Sequence, residues 1–444
     1  GFEGATVDLQ CELGSGVRDV VVQLPAVIAV AERLCSPAKP EPCAVAAIDP
    51  GAVTVLDAND LEIDFPVGGA GSPTTVVGTV SVQSSRMGLR WPGRLEEQLP
   101  ELASFLAERD LKGNGIPKRS TLGWSALDTA TVVICDHEQP ASTRDLIALA
   151  EGLRDDSACG VPITIIGYHG EQYHSPHDCR YVELRGGKHE AEVAKALTRW
   201  ISENAPQLVL APATDFGREV AARLAAQLGV GLIGDAVELG FGQDGKVIAY
   251  KPVGSELQLA AVVSRSAIQI VTMKLGRGSR IGESSGILGS PQEVLTVPQT
   301  TRVTTLRTKT TEDLQELDNA DIVLGVGQGV DPTDYALIYE YADRLGASIA
   351  CTRKVADRGW MPRSRQIGVT GRSIAPAVYL GVATRGSFNH LVGLSGTGTI
   401  LLINHDADAV ANSEVDAVIV SDWKLALPRI VDVLVDQLQL HNDG

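Results

Sequence analysis

Gly325-Val326-Gly327-Gln328-Gly329 is a glycine-rich run between an apolar stretch and a segment of helical spacing. At a strand-to-helix turn, glycines let a backbone approach a phosphate, and the helix N-terminus supplies donors and a positive end. Glycines there also serve simply to make the turn, so the run alone leaves both readings open. Further clusters follow: Cys351-Thr352-Arg353, Gly359 to Pro362, Gln366 to Gly371, Arg385 to Gly393, Ile403-Asn404 and Ser421-Asp422-Trp423. Each falls at or just past the end of an expected strand. They should converge on one edge of one sheet, which is where open α/β folds bind ligands. No Ser-His-Asp order or carboxylate pair supports hydrolase chemistry. His169, His174 and His177 lie near Asp178 and Cys179, but their spacing fits no familiar zinc pattern.

The elements that must position these clusters follow from apolar periodicity. Strands are expected at 6–10, within 17–30, and at 52–56, with a Gly/Pro/Ser loop at 68–75. Leu95 to Leu106 has the spacing of a helix. A Gly/Lys/Ser-rich stretch over 112–128 reads as a linker. Alternation of strands (131–135, 163–166, 207–211) with helices (143–153, 190–204, 218–228) then predicts a parallel sheet covered on both faces. Strands at 247–250, 260–263 and 267–273 lack intervening helices and read as an antiparallel extension. A second α/β unit starts at Asp321. It has strands at 322–325, 348–350, 377–382, 399–403 and 417–420, and helices at 335–345 and 425–438.

Length and composition limit the function classes. The 444 residues suggest about three domains. The formal net charge is −17, and aromatics are only 6 Phe, 5 Trp and 8 Tyr. This is the reverse of a nucleic-acid binder, and it disfavours anionic membranes. No stretch approaches the roughly 18 apolar residues of a membrane span, and no secretory signal is visible. The 7 cysteines are scattered, without CxxC spacing, and read as reduced thiols of a cytoplasmic protein. The chain opens on Gly1, and its first residues read as the tail of a larger unit.

From about Asp321 to Leu438 the sequence resembles the FAD-binding domain of the electron transfer flavoprotein (ETF) alpha subunit. The family signature appears as Tyr379, Gly386, Asn389-His390, Gly393, Ile400 and Ile403-Asn404. Asp215 to Leu224, Gly231 and Asp235 resemble the alpha subunit's N-terminal domain. Residues 17 to about 106 resemble the C-terminal part of the beta subunit, through Leu24-Pro25-Ala26-Val27, Arg33-Leu34 and a proline-rich loop. The implied organisation is α/β throughout. A beta-like segment (1–110) and a linker (111–129) would precede two doubly wound parallel-sheet domains, an N-terminal alpha domain (130–305) and an FAD-binding domain (306–444). The nucleotide-binding half of the beta unit is missing.

The resemblance also implies roles. Arg353 matches the arginine over the isoalloxazine, where a guanidinium stabilises reduced, anionic flavin. His390 matches a donor at the flavin pyrimidine carbonyl, and Thr370 matches the hydroxyl at the N5 edge. Ile367, Gly368 and Val369 line the same loop. The backbone of Gly386, Ser387, Phe388 and Asn389 would hold the flavin and its pyrophosphate. Asn404 and Asp422 match adenosine contacts, and Thr352 and Trp423 flank these positions. The family carries Arg where Gln328 stands, Gln where Val369 stands and Ser where Arg385 stands. Arg385 is therefore a candidate to restore the charge absent at Gln328. The implied function is an electron carrier rather than a substrate-turnover enzyme. Its donors would be acyl-CoA dehydrogenases, as in fatty acid β-oxidation, or other dehydrogenases, and its acceptor an ETF-quinone oxidoreductase type. A beta-type half would add AMP or a second FAD. The partner-docking loop maps to Cys35–Val45, with Pro42 at its apolar anchor position. Two alternatives stay open, a flavin-free nucleotide-binding scaffold and a nicotinamide-dependent oxidoreductase.

Overall fold

The computed structural model describes residues 2–3, 5–13, 16–30, 34, 43–44, 47–57, 60, 66–81, 86–91, 93–109, 111, 130–153, 163–168, 179–242, 246–253, 258–274, 290–299, 302–310, 317, 320–394, 397–406 and 414–440. The expected linker, most of the docking loop, the histidines at 169, 174 and 177, and residues 407–413 lie outside them.

Seven strands form one parallel sheet in the order Leu232–Ala236, Gln269–Met273, Leu208–Pro212, Thr131–Ile134, Thr164–Tyr168, Arg180–Gly186, Glu293–Val297. The inner strands are continuous apolar runs, because helices cover both of their faces. Helices Pro140–Leu153, Glu190–Asn204 and Asp215–Leu228 provide that cover. The last begins with Thr214 accepting from the Gly217 N–H and closes at Gly229 with φ 65°. These are the oxygen cap and left-handed stop expected of a helix.

A second parallel sheet has the order Ser348–Cys351, Ile322–Val326, Val378–Val382, Thr399–Asn404, Ala417–Val420, Leu89–Arg90. Its edge strand comes from the N-terminal segment. Helix Leu95–Ala107 follows that strand and buries Leu102 and Leu106 in the same core as Leu427 and Ile430 of helix Trp423–Leu440. Buried Asp416 holds this segment in place. It pairs with Arg86 and, at 3.3 Å, with Arg109, and its Oδ2 accepts from the Ile400 N–H at 2.8 Å.

Two antiparallel sheets complete the described fold. One has the order Glu238–Phe241, Val247–Pro252, Gln258–Ser264, Thr74–Ser81. The other has the order Phe2–Glu3, Thr6–Leu13, Gly16–Gln23, Val303–Thr310.

The structure corrects several expectations. The stretch expected at 267–273 is not part of an antiparallel extension; Gln269–Met273 is an inner strand of the parallel sheet. Residues 26–30 form no strand, and Val27 is fully exposed. Pro25 lacks the N–H and freedom of φ to continue the ladder. Residues 52–56 alternate like a strand, yet they pair with nothing described and stay exposed. Residues 68–75 are not all loop: Gly68–Gly71 make a helical turn and a strand starts at Thr74.

Candidate functional site

Strand Ile322–Val326 lies between Ser348–Cys351 and Val378–Val382, so the chain reverses direction across the sheet there. Such a switch point leaves a crevice beyond the strands' C-terminal ends. A cleft of about 880 Å³ opens at that position, within the range of small-molecule and cofactor sites. Its walls are the Gly327–Gly329 turn, the start of helix Arg353–Asp357, the Gln366–Thr370 loop and the Ala383–Ser387 loop.

The glycine run has a packing reason as well as a ligand reason. A Cβ on Gly327 would lie 2.0 Å from the Ala383 carbonyl oxygen, so the two walls approach backbone to backbone. A Cβ on Gly325 would lie 1.6 Å from the Tyr379 hydroxyl. These two glycines therefore set the width of the crevice from behind.

The cleft brings together Gln328, Thr352, Arg353, Ile367, Gly368, Val369, Thr370, Arg385, Gly386, Ser387, Asn389, His390, Asn404 and Trp423. Phe388 and Asp422 fall outside its lining. The Phe388 ring is buried among Tyr250, Leu259 and Ala261 of the antiparallel sheet, so it joins the domain of the second parallel sheet to the preceding one. Asp422 instead caps helix Trp423–Leu440, accepting from the Lys424 N–H at 2.8 Å.

Arg353 is more than half exposed at the rim and pairs along its helix with Asp357 at 3.2 Å. Thr370 is exposed, and its hydroxyl accepts from Gln366 Nε2 at 2.9 Å. Arg385 is exposed on the opposite wall. Gln328, with its amide oriented so that the oxygen faces Arg358, accepts from that guanidinium at 3.0 and 2.7 Å. The cation beside Gln328 is thus Arg358, five residues beyond the strand-end cluster.

Two site residues act differently from the sequence-based expectation. His390 is buried, with Nδ1 3.3 Å from the Ile367 carbonyl and Nε2 2.7 Å from the Tyr379 hydroxyl. A carbonyl only accepts, so Nδ1 carries the proton and Nε2 accepts from Tyr379. Both ring nitrogens are engaged inside the protein, and neither is left to donate to a ligand. Burial holds the imidazole neutral, its pKa lowered to about 4 against a small upward pull from Ile367. Asn404 is similarly occupied. Its Nδ2 donates to the Thr384 carbonyl and its Oδ1 accepts from the Asp406 N–H, both at 2.9 Å. Its side chain shapes the loop more than it reaches into the cleft.

Sequence reasoning missed Lys354, Ala383, Thr384, His405, Asp406 and Pro252 in the lining. The first five adjoin strand ends already singled out and could have been found by extending each cluster. Pro252 comes from another sheet and gave no local signal. Lys274, at the end of strand Gln269–Met273, was also missed. Its ammonium is buried and donates to the carbonyls of Gly368, Val369 and Gly371. Burial first, then the Arg218 charge, lowers its pKa to about 8, opposed by Asp235.

The cleft fits a large anionic cofactor. Gln366 Oε1 and Thr384 Oγ1 are buried without a hydrogen-bond partner, and both residues line it. Arg353, Lys354 and Arg385 line it against one carboxylate, Asp406, in a chain of net charge −17. Unpaired polar atoms in the wall and cations on the rim match a group with hydrogen-bonding edges and phosphates. Cys351 is no competitor for redox chemistry, since burial pushes its thiol up to about 12.

The family model of the electron transfer flavoprotein FAD-binding domain matches residues 316–395, and that of the electron transfer flavoprotein domain matches residues 183–284. Protein FixB of Rhizobium meliloti (strain 1021) is 30% identical over 254 residues, covering 56% of this chain and 72% of its own. The electron transfer flavoprotein subunit alpha of Thermoanaerobacterium thermosaccharolyticum is 29% identical over 252 residues, with 55% and 75% covered. Protein FixB of Azotobacter vinelandii is 28% identical over 312 residues, with 67% and 83% covered.

Proposed function

Because this chain belongs to the electron transfer flavoprotein alpha-subunit family, we propose that its cleft holds FAD with the flavin between the Gln366–Thr370 and Ala383–Ser387 walls. The chain is an FAD-binding electron carrier. When bound, FAD supplies the redox chemistry, and the protein supplies binding, orientation and field. The observation that carries the placement is the pair of unpartnered polar atoms, Gln366 Oε1 and Thr384 Oγ1, from two different loops lining one crevice.

The residues divide the work as follows. Gln366 and Thr370 present an amide and a hydroxyl to the ring edge. Arg353, Lys354 and Arg385 hold positive charge at the rim, where pyrophosphate or reduced flavin carries negative charge. The Arg358–Gln328 pair adds a cation on the turn that approaches the phosphates. Tyr379 and His390 form the rigid floor and exchange no proton with the ligand.

Residues 1–110 are read as the C-terminal part of a beta-type subunit carried on the same chain. In support, among the described residues no sheet is built from this segment alone: it gives three of the four strands of the sheet closed by Val303–Thr310 and one edge strand to each of two others. A separate beta-type nucleotide-binding half is the partner expected for it. Val27, Val30, Val53, Val55 and Leu56 are exposed along the segment, apolar side chains that such a partner would cover. Electrons would enter from acyl-CoA or other dehydrogenases and leave to a quinone oxidoreductase-type acceptor. Among the described residues no helix is long and apolar enough to cross a membrane, and a cytoplasmic site of action is proposed.

The test is the absorbance spectrum of the purified chain, with the released cofactor identified by chromatography. One FAD per chain supports the reading. Absence of flavin after incubation with FAD rejects it in favour of a flavin-free scaffold, and a bound nicotinamide would favour the oxidoreductase alternative.

A further inference from the structure

Lys274 belongs to the first parallel sheet, but its side chain ends in the wall of the cleft in the second domain. Its backbone N–H donates to the Ala236 carbonyl at 2.7 Å, which anchors its base at the end of the sheet. Its Nζ lies 2.5 Å from the Gly368 carbonyl, 2.6 Å from Val369 and 2.7 Å from Gly371. Three protons thus meet three acceptors. Among the described residues no carboxylate lies within ion-pair distance of it. The nearby Asp235 is engaged by Arg218 through two hydrogen bonds of 2.8 and 3.2 Å.

An ammonium buried against neutral carbonyls is an expensive arrangement. Packing alone would be served by Met or Leu of similar volume. The three carbonyls belong to the loop that contributes Gly368, Val369 and Thr370 to the cleft. Turning them toward Lys274 turns the other edge of the loop, with the Thr370 hydroxyl, toward the ligand. The other bonds of the loop, Gly368 N–H to Arg372 O, Gly371 N–H to Gly368 O, Val369 N–H to Asn389 O and Gln366 Nε2 to Thr370, lie within its own domain. Among the described residues, Lys274 is the tie that comes from outside.

The geometry points to Lys274 as a positioning residue, an interdomain latch that orders the Gly368–Gly371 loop for cofactor binding. The assignment rests on the reading of the cleft as the FAD site. It goes beyond that reading by making a residue of the neighbouring domain a condition for the loop's shape.

The experiment compares wild type, Lys274→Met and Lys274→Arg as full-length chains. It measures amide hydrogen exchange across 366–372 and FAD affinity. The latch predicts faster exchange at 366–372 in Lys274→Met, with strands 131–134 and 378–382 unchanged. It predicts FAD binding weakened about tenfold or more, the scale of a lost charged hydrogen bond. Lys274→Arg restores both in large part. If Lys274→Met does not fold, Lys274→Gln, which loses the charge and keeps two donors, carries the same comparison. Wild-type exchange at 366–372 in a folded, uncharged variant overturns the latch. Failure of wild type to take up FAD counts against the cofactor reading instead, and the exchange comparison still decides the latch.

Discussion

The Tyr379 hydroxyl donates to His390 Nε2 at 2.7 Å while His390 Nδ1 faces the Ile367 carbonyl. This chain of contacts runs from the middle of a strand, through the helix start at 388–391, to the loop opposite. It joins two segments that line the cleft, at Ile367 and at His390. Tyr379→Phe removes the donor and leaves a buried imidazole nitrogen unpaired. The expected loss is about 1–3 kcal/mol of unfolding free energy, read as a lower urea midpoint with unchanged slope.

His390 also makes stability depend on pH. Its imidazole is neutral in the folded protein down to about 4, whereas the unfolded group takes a proton near its ordinary 6.5. Between those values the unfolded state binds more protons, so stability falls as pH is lowered from 6.5 toward 4. In His390→Gln that part of the fall disappears. The check is the change in urea midpoint between pH 7 and pH 5 in the two proteins.

Gly325→Ala tests the packing behind the turn. The added Cβ would stand 1.6 Å from the Tyr379 hydroxyl and 2.2 Å from its Cζ. Destabilisation of about 1–3 kcal/mol or more is expected. Tyr379→Phe should not rescue it, because the ring carbon remains in the way. Thermal melts of the single and double variants decide this.

Asp416→Asn should loosen the N-terminal segment from the flavin-type domain. The carboxylate is buried between Arg86 and Arg109, and its loss removes the negative charge that both guanidinium groups share. A cost of about 3 kcal/mol is expected. Limited proteolysis should then cut within residues 86–111 before it reaches the strands of either parallel sheet.

Lys274 shifts pH dependence in the opposite range. Folded, it releases its proton near about 8, against 10.5 ordinarily. Between those values the unfolded chain holds more protons, so this residue makes stability rise with pH. The rise should be present in wild type and absent in Lys274→Met when urea midpoints at pH 7.5 and 9.5 are compared.

Much of this was legible in the sequence. Helix Glu190–Asn204 and strand Ala417–Val420 have the bounds that periodicity predicts, because each buries one stripe or one apolar run against a single sheet. The strand-end clusters converged for the same reason, since parallel strands all end on one edge. Pairing between distant segments was not legible. Leu89–Arg90 is two residues long and becomes a strand only because Ala417 and Val418 lie beside it. Residues 52–56 have the right alternation and no such neighbour. The engagement of His390 was hidden as well. Its role depends on a tyrosine eleven residues earlier and a carbonyl twenty-three residues earlier, brought together only by the sheet. Lys274 carried no motif, and its chemistry lies in three backbone oxygens that any residue type would supply.

The clamp between Arg86 and Asp416 spans 330 residues of sequence. During synthesis, residues 86–109 therefore emerge long before the strand and helix that receive them. Leu102, Leu106 and Leu111, fully buried in the finished protein, must wait uncovered until residues 417–440 are made. The first parallel sheet has every strand it needs by Val297 and can form in the meantime. The cleft-bearing domain cannot close its edge until residues 417–440 have emerged, so its non-local pairing comes later than that of the first parallel sheet.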